Sequence, residues 1–196
     1  MEGEEKAFTA DSLMKEAVSK ATEATQGSSK IPDKSKVKEI AASIGRGAIR
    51  FEFLRVSPAK PVVFSWKSAL NFEGNSGPYC MYTYARANRI LEKAGYRRIE
   101  IKSINIDALE RGEDFELVKL LGEAQEVVEK AAMEYSPNDI TDYIIELTTS
   151  FSKFYESMPV INSGDAQQVR MRILDSYMQV AKNMFALIGM ETVKNM

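Results

Sequence analysis

Three tyrosines and two arginines crowd into the stretch Asn75-Ser-Gly-Pro-Tyr-Cys-Met-Tyr-Thr-Tyr-Ala-Arg-Ala-Asn-Arg-Ile-Leu91. Tyr79, Tyr82 and Arg86 fall at i, i+3 and i+7, so a helix places them on one face. Arg89 follows on the same stretch, and Met81, Ala85, Asn88 and Leu91 form a neighbouring, mostly apolar stripe. Phenol rings beside guanidinium groups suit stacking against flat partners and neutralising phosphates. The same spacing also suits ordinary packing with the hydroxyls at the rim. From this stretch alone both readings stay open.

The composition removes much other chemistry. The chain has no histidine, which excludes Ser-His-Asp and Cys-His catalysis and mixed Cys/His zinc sites. Its eleven glycines are scattered, with no phosphate-cradling loop among them. No catalytic residue and no metal ligand is therefore assigned. The one cysteine, Cys80, cannot form an internal disulfide, so a reducing, cytoplasmic setting is expected. No apolar run is long enough to span a bilayer and no signal-peptide pattern opens the chain.

Net charge is −2, yet its distribution is uneven. Between Arg46 and Lys102 eleven basic residues face four acidic ones, while the rest of the chain carries fifteen against twenty-four. A basic middle between acidic flanks can present one phosphate-seeking face.

These residues need helices to position them. Ser76 and Gly77 serve as a cap before Pro78, which tolerates the first helical turn because its missing N–H has no partner there anyway. Upstream, a polar segment of about eight residues precedes a helix capped by Thr9 and running to Ala24, with Leu13, Ala17, Ala21 and Ala24 on one side. Gln26-Gly-Ser-Ser-Lys30 reads as a loop, and Pro32 lies near the start of a second helix that Gly45 interrupts. Arg46 to Leu54 then reads as a separate short helix. Val62-Val-Phe64 reads as an extended lead into a short helix capped by Ser65, with Trp66 a core plug. Ile99 to Ile104 reads as loop.

Asp114 to Tyr135 has the period of one long helix, and Ser136-Pro137 opens the next, through Phe151 and Phe154-Tyr155. Asp165 with Gln168 forms a capping box for a last helix that stops at Gly189. The sum is an all-α helical bundle.

Several of these segments resemble arginyl-tRNA synthetases. Glu73-Gly-Asn-Ser-Gly-Pro-Tyr-Cys-Met-Tyr-Thr-Tyr-Ala-Arg86 is similar to that family's Asn-Ser-x-Pro-Tyr-x-x-Tyr-x-x-Ala-Arg run. Ile44-Gly-Arg-Gly-Ala-Ile-Arg-Phe51 resembles a variant of its Asp-Ala-Leu-Arg signature, with Gly47 in place of the aspartate, Ile49 in place of leucine and Arg50 retained. Phe64-Ser-Trp-Lys-Ser-Ala-Leu70, Leu147 to Val160, the helix from Val169 to Gly189 and the tail Val193-Lys-Asn-Met196 also resemble family segments.

The resemblance implies the C-terminal helical anticodon-binding (DALR) domain of such an enzyme. Residues 1–30 would be linker and a helix following an absent catalytic core, and 31–196 the anticodon-binding domain. The His-x-Gly-His and Lys-Met-Ser-Lys-Ser elements of catalysis have no counterpart here. The chain is accordingly expected to lack ligase activity and to hold no cofactor, ATP and Mg belonging to the parent arginine–tRNA ligase.

The implied partner is the anticodon stem-loop of arginine tRNAs, with the catalytic part of the synthetase as a second partner and no membrane. The residues expected to contact RNA are Tyr79, Tyr82, Arg86, Arg89, Tyr155, Pro159 and Met196, with Arg86 and Arg89 taking phosphates from the tyrosine helix. Tyr155 and Met196 would flank the middle anticodon base, and Pro159 stands where some members carry an aromatic ring. Arg50 is read as a tie between helix ends. For Tyr155 and Met196 the alternatives are core packing and a frayed terminus. For the whole chain the alternative is a helical domain of the same descent that binds proteins or RNA in general.

Overall fold

The computed structural model describes residues 9–26, 36–98, 100, 102, 104–109, 112–194 and 196. Among them there is no strand, and they form a bundle of eight α-helices with a 3-10 turn at Ile106–Ala108. The order is α1 (Ala10–Gln26), α2 (Val37–Leu54), α3 (Trp66–Ala69), α4 (Gly77–Lys93), α5 (Glu113–Gly122), α6 (Ala124–Met133), α7 (Pro137–Ser157) and α8 (Ala166–Leu187). α4, α7 and α8 pack on one another at the centre; α2 carries α1 on the other side, and α5 and α6 flank α7.

Thr9 Oγ1 accepts the Ser12 N–H at 3.2 Å and starts α1 as the sequence suggests. Its buried face is Ala17, Ala21 and Thr25 rather than Ala24, the Thr25 hydroxyl being spent on the Ala21 carbonyl at 2.8 Å. Residues 1–8, Pro32 and 27–30 of the expected loop lie outside the described residues.

Gly45 does not interrupt α2, which runs unbroken through it. Its reason for being glycine is the neighbouring helix. A Cβ there would stand 2.7 Å from the Ala17 carbonyl oxygen and 2.8 Å from Val18 N, so the missing side chain lets two backbones touch. Gly45→Ala gains helix propensity of about 1 kcal/mol but forces α1 and α2 apart. We expect a net loss of about 1–2 kcal/mol, the scale of overpacking, read as a lower denaturant midpoint at unchanged slope.

The long helix expected from Asp114 is two. α5 ends at Gly122 and α6 begins at Ala124: beside a glycine of low helix propensity, Glu123 N bonds the Leu120 carbonyl three residues back, and Val127 N then bonds the Glu123 carbonyl. α7 does begin at Pro137, yet Ser136 turns its hydroxyl back to the Glu134 carbonyl instead of capping. The capping box at Asp165 does not form either. Asp165 makes no side-chain cap bond, and Gln167, not Gln168, reaches back, accepting the Asn162 N–H at 2.7 Å. α8 closes as expected: with Gly189 at φ +70°, Gly189 N bonds the Ala186 carbonyl and Met190 N bonds that of Phe185, a Schellman motif.

The core joins α4, α7 and α8 through an aromatic column. Phe151 lies flat on Tyr177, centroids 4.4 Å apart and planes at 14°. The Tyr177 hydroxyl stands 3.0 Å from Thr83 Oγ1. Thr83 already gives its proton to the Cys80 carbonyl at 2.8 Å, so the phenol is the donor. Burial pushes the Tyr177 phenol well above its usual range and the Cys80 thiol up to about 12, which keeps both neutral.

Candidate nucleic-acid interface

Ser76 caps α4, its Oγ accepting the Tyr79 N–H at 3.2 Å, and fixes the rotation at which the helix presents its side chains. Tyr82, Ala85, Arg86, Arg89, Ile90 and Lys93 then face a cavity of about 450 Å³. Tyr155 near the end of α7, Val160 and Ile161 in the following turn, and the last residue, Met196, complete its lining. Three distant parts of the sequence meet there.

Arg86 sits at their junction. Its Cζ lies 4.8 Å from the Tyr82 ring centroid and 5.0 Å from that of Tyr155, within the range of cation–π attraction. One of its terminal nitrogens donates to the Tyr82 hydroxyl at 2.9 Å. Tyr155 in turn stacks on Phe151, centroids 6.3 Å apart and planes at 18°, which extends the core column to the surface. Tyr155 is 41% exposed, so the residue is anchored on one side and faces solvent on the other.

Met196 is not a frayed end, since it is only 8% exposed. The tail leading to it is held at three places. Arg50 of α2 donates to the Gly189 carbonyl. Ser43 and Arg46 bind the Glu191 carboxylate, the arginine at 2.9 Å, and Asn88 of α4 donates to the Lys194 carbonyl at 3.4 Å. The Ser43 hydroxyl first, and then Arg46, pull the Glu191 pKa below the usual carboxylate range. Its contribution to stability is thus present above the unfolded-state pKa and is lost as pH falls through the lower folded value.

Arg50 joins α2 to the end of α8 and lies outside the cavity lining. Because it is only half-buried, Arg50→Ala should cost about 1.5 kcal/mol, the low end for a charge-assisted hydrogen bond. RNA affinity should change little. Paired melting and binding curves check this, and a variant that melts like the parent but binds much more weakly would refute it.

The cavity unites Tyr82, Arg86, Arg89, Tyr155 and Met196. It does not include Tyr79 or Pro159. Tyr79 sits beside the Ser152 hydroxyl at 3.0 Å and lines a separate polar hollow with Arg55, Asn71 and Asn75. Pro159 is exposed, and its carbonyl accepts from Arg170 at 3.1 Å. Trp66 is half-buried rather than a core plug, edge-on to Phe64 at 4.8 Å with Lys20 Nζ 5.5 Å from its centroid.

Sequence reasoning missed Ile90, Lys93, Val160 and Ile161. Lys93 had a signal, since it stands four residues after Arg89 and seven after Arg86. Val160 and Ile161 had none, because their direction depends on how the turn leaves α7.

The family model described as the DALR anticodon binding domain matches residues 80–196, more than half of the chain. The chain belongs to that family. Arginine–tRNA ligase of Clostridium botulinum is 37% identical over 188 residues, covering 95% of this chain and 32% of that protein. Arginine–tRNA ligase of Pyrococcus abyssi is 37% identical over 192 residues, covering 96% and 31%. In structure the chain is similar to Thermus thermophilus arginyl-tRNA synthetase, with a TM-score of 0.89 at 26% identity over 98% of this chain and 33% of that one. It therefore spans about a third of the length of the relatives it matches. No described helix is long and apolar enough to cross a membrane.

Proposed function

We propose that this DALR domain binds the anticodon stem-loop of arginine tRNAs and takes one unstacked base into the cavity between α4, α7 and the chain terminus. The observation that carries the reading is the convergence of Tyr82, Arg86, Tyr155 and Met196 on one cavity with Arg89 and Lys93 beside it. RNA loops are read by splaying bases out onto flat or soft side chains while cations take the backbone. Tyr155 supplies the ring and Met196 a polarizable thioether that rests against a base at little steric cost.

Arg86, held against both tyrosine rings, serves the base. Arg89 and Lys93, both exposed, serve phosphates. Arginine enters the proposal through the relatives, which are arginine–tRNA ligases. No catalytic step is assigned to this chain, and the cytoplasm is its proposed setting.

A salt titration tests the phosphate part. Arg89→Ala and Lys93→Ala should each lower the slope of log affinity against log salt by about one unit, with the preference among tRNAs unchanged. A double variant with the parent's slope would move the RNA face elsewhere.

A further inference from the structure

The cavity wall made by Val160 and Ile161 has no helix of its own. It is the turn joining α7 to α8, and turns of this kind are soft unless something holds their backbone. Here a buried charge holds it. Arg170 of α8 is 3% exposed, and its NH1 donates to the Pro159 carbonyl at 3.1 Å. Its Nε lies 3.8 Å from Oδ2 of Asp114, which is wholly buried in the first turn of α5. The other Asp114 oxygen, Oδ1, accepts the Phe115 N–H at 2.8 Å, so the carboxylate is itself fixed. Met158, at the head of the turn, places its methyl 2.7 Å from where a Cβ at Gly112 would stand. The turn is thus braced against the start of α5.

Burying two charges is costly, and an ion pair so placed returns little net stability over an apolar pair of similar volume. What Arg170 supplies that an apolar side chain could not is a directed bond to one backbone carbonyl, immediately before two residues that line the cavity. We propose that Arg170 is a positioning residue for base recognition. By tying the Pro159 carbonyl to Asp114, it sets Val160 and Ile161 at the distance from Tyr155 that one base requires. This rests on the proposed base-binding reading of the cavity.

The test uses the full chain and two RNAs: an arginine anticodon stem-loop, and the same stem-loop with the middle anticodon base removed. Asp114→Asn with Arg170→Met removes both charges of the pair together and keeps an oxygen for the Phe115 N–H. Arg170→Lys, should the double variant fold poorly, keeps a cation opposite Asp114 but gives up the rigid fork that reaches Pro159. Val169→Ala, one residue earlier and also buried, is the control for destabilisation alone.

The parent should prefer the intact loop. The Arg170 variants should lose that preference by roughly tenfold, the scale of misplacing an apolar contact in a pocket, with the salt slope unchanged. Val169→Ala should keep the preference. A folded Arg170 variant that discriminates like the parent overturns the positioning role alone, as does an equal loss in Val169→Ala. A parent without any preference overturns the base-pocket reading, and this inference with it.

Discussion

Tyr155→Ala should weaken binding of an arginine anticodon stem-loop by about 1–3 kcal/mol, the range for one base–aromatic stack, while the variant melts close to the parent. The two halves of that expectation come from the ring's position. Tyr155 is 41% exposed, so truncation opens no closed cavity, and its contacts are with Phe151 on one side and Arg86 on the other. Removing it leaves Phe151 packed on Tyr177 but takes away the flat surface that faces the cavity. Deleting Met196 should also weaken binding, and by less, because a thioether offers less contact than a ring. Binding titrations with melting curves on the same samples measure both. Two folded variants that bind as tightly as the parent would refute the clamp.

Phe151→Ala should act on the fold. The ring is fully buried and stacked between Tyr155 and Tyr177, in the column that joins α7 to α8 and, through Thr83, to α4. Truncation removes a large apolar side chain and leaves a void that three packed helices cannot close, so about 3–5 kcal/mol of stability should be lost. RNA affinity should fall as well, since Tyr155 then loses the ring that sets its plane. Denaturant unfolding gives the first quantity. A loss under about 1 kcal/mol, ordinary for a surface change, would show that the column is not what holds the bundle.

These two residues also mark how far the sequence could be read. The faces of α4, α7 and α8 were legible because a 3.6-residue period and strong stop signals agree there: Ser76-Gly-Pro78 opens α4, Pro137 opens α7 and Gly189 ends α8. The family segments then marked Tyr155 and Met196 as expected RNA contacts, which periodicity alone could not do, and the structure places both on one cavity with Tyr82 and Arg86. Spacing relates residues on one helix and says nothing of how helices meet.

The misreadings have the same source. Gly45 looked like a helix breaker because a glycine's local cost is visible in sequence, whereas the Ala17 backbone that makes it necessary is twenty-eight positions away. Gly122 had the opposite problem: a continuous apolar period concealed a break at a residue with nothing packed on it. Asp165 and Gln168 matched a capping pattern, yet Asp165 already has helical backbone angles, outside the extended region a capping residue adopts. Val160 and Ile161 reach the cavity only because of the turn that Arg170 holds, so no local pattern could announce them.

Met196 gives the most direct test of the central claim, that the cavity between α4, α7 and the terminus receives a base. In protein labelled at its methionine methyl groups, adding an arginine anticodon stem-loop should shift the Met196 methyl resonance upfield, as a ring closing over it requires. The Met81 methyl, wholly buried against Gly47 and outside the cavity lining, should stay in place. The same stem-loop without its middle base should leave both unmoved even where phosphate contacts saturate binding. A Met196 methyl that does not respond to the intact loop at saturation would contradict the account.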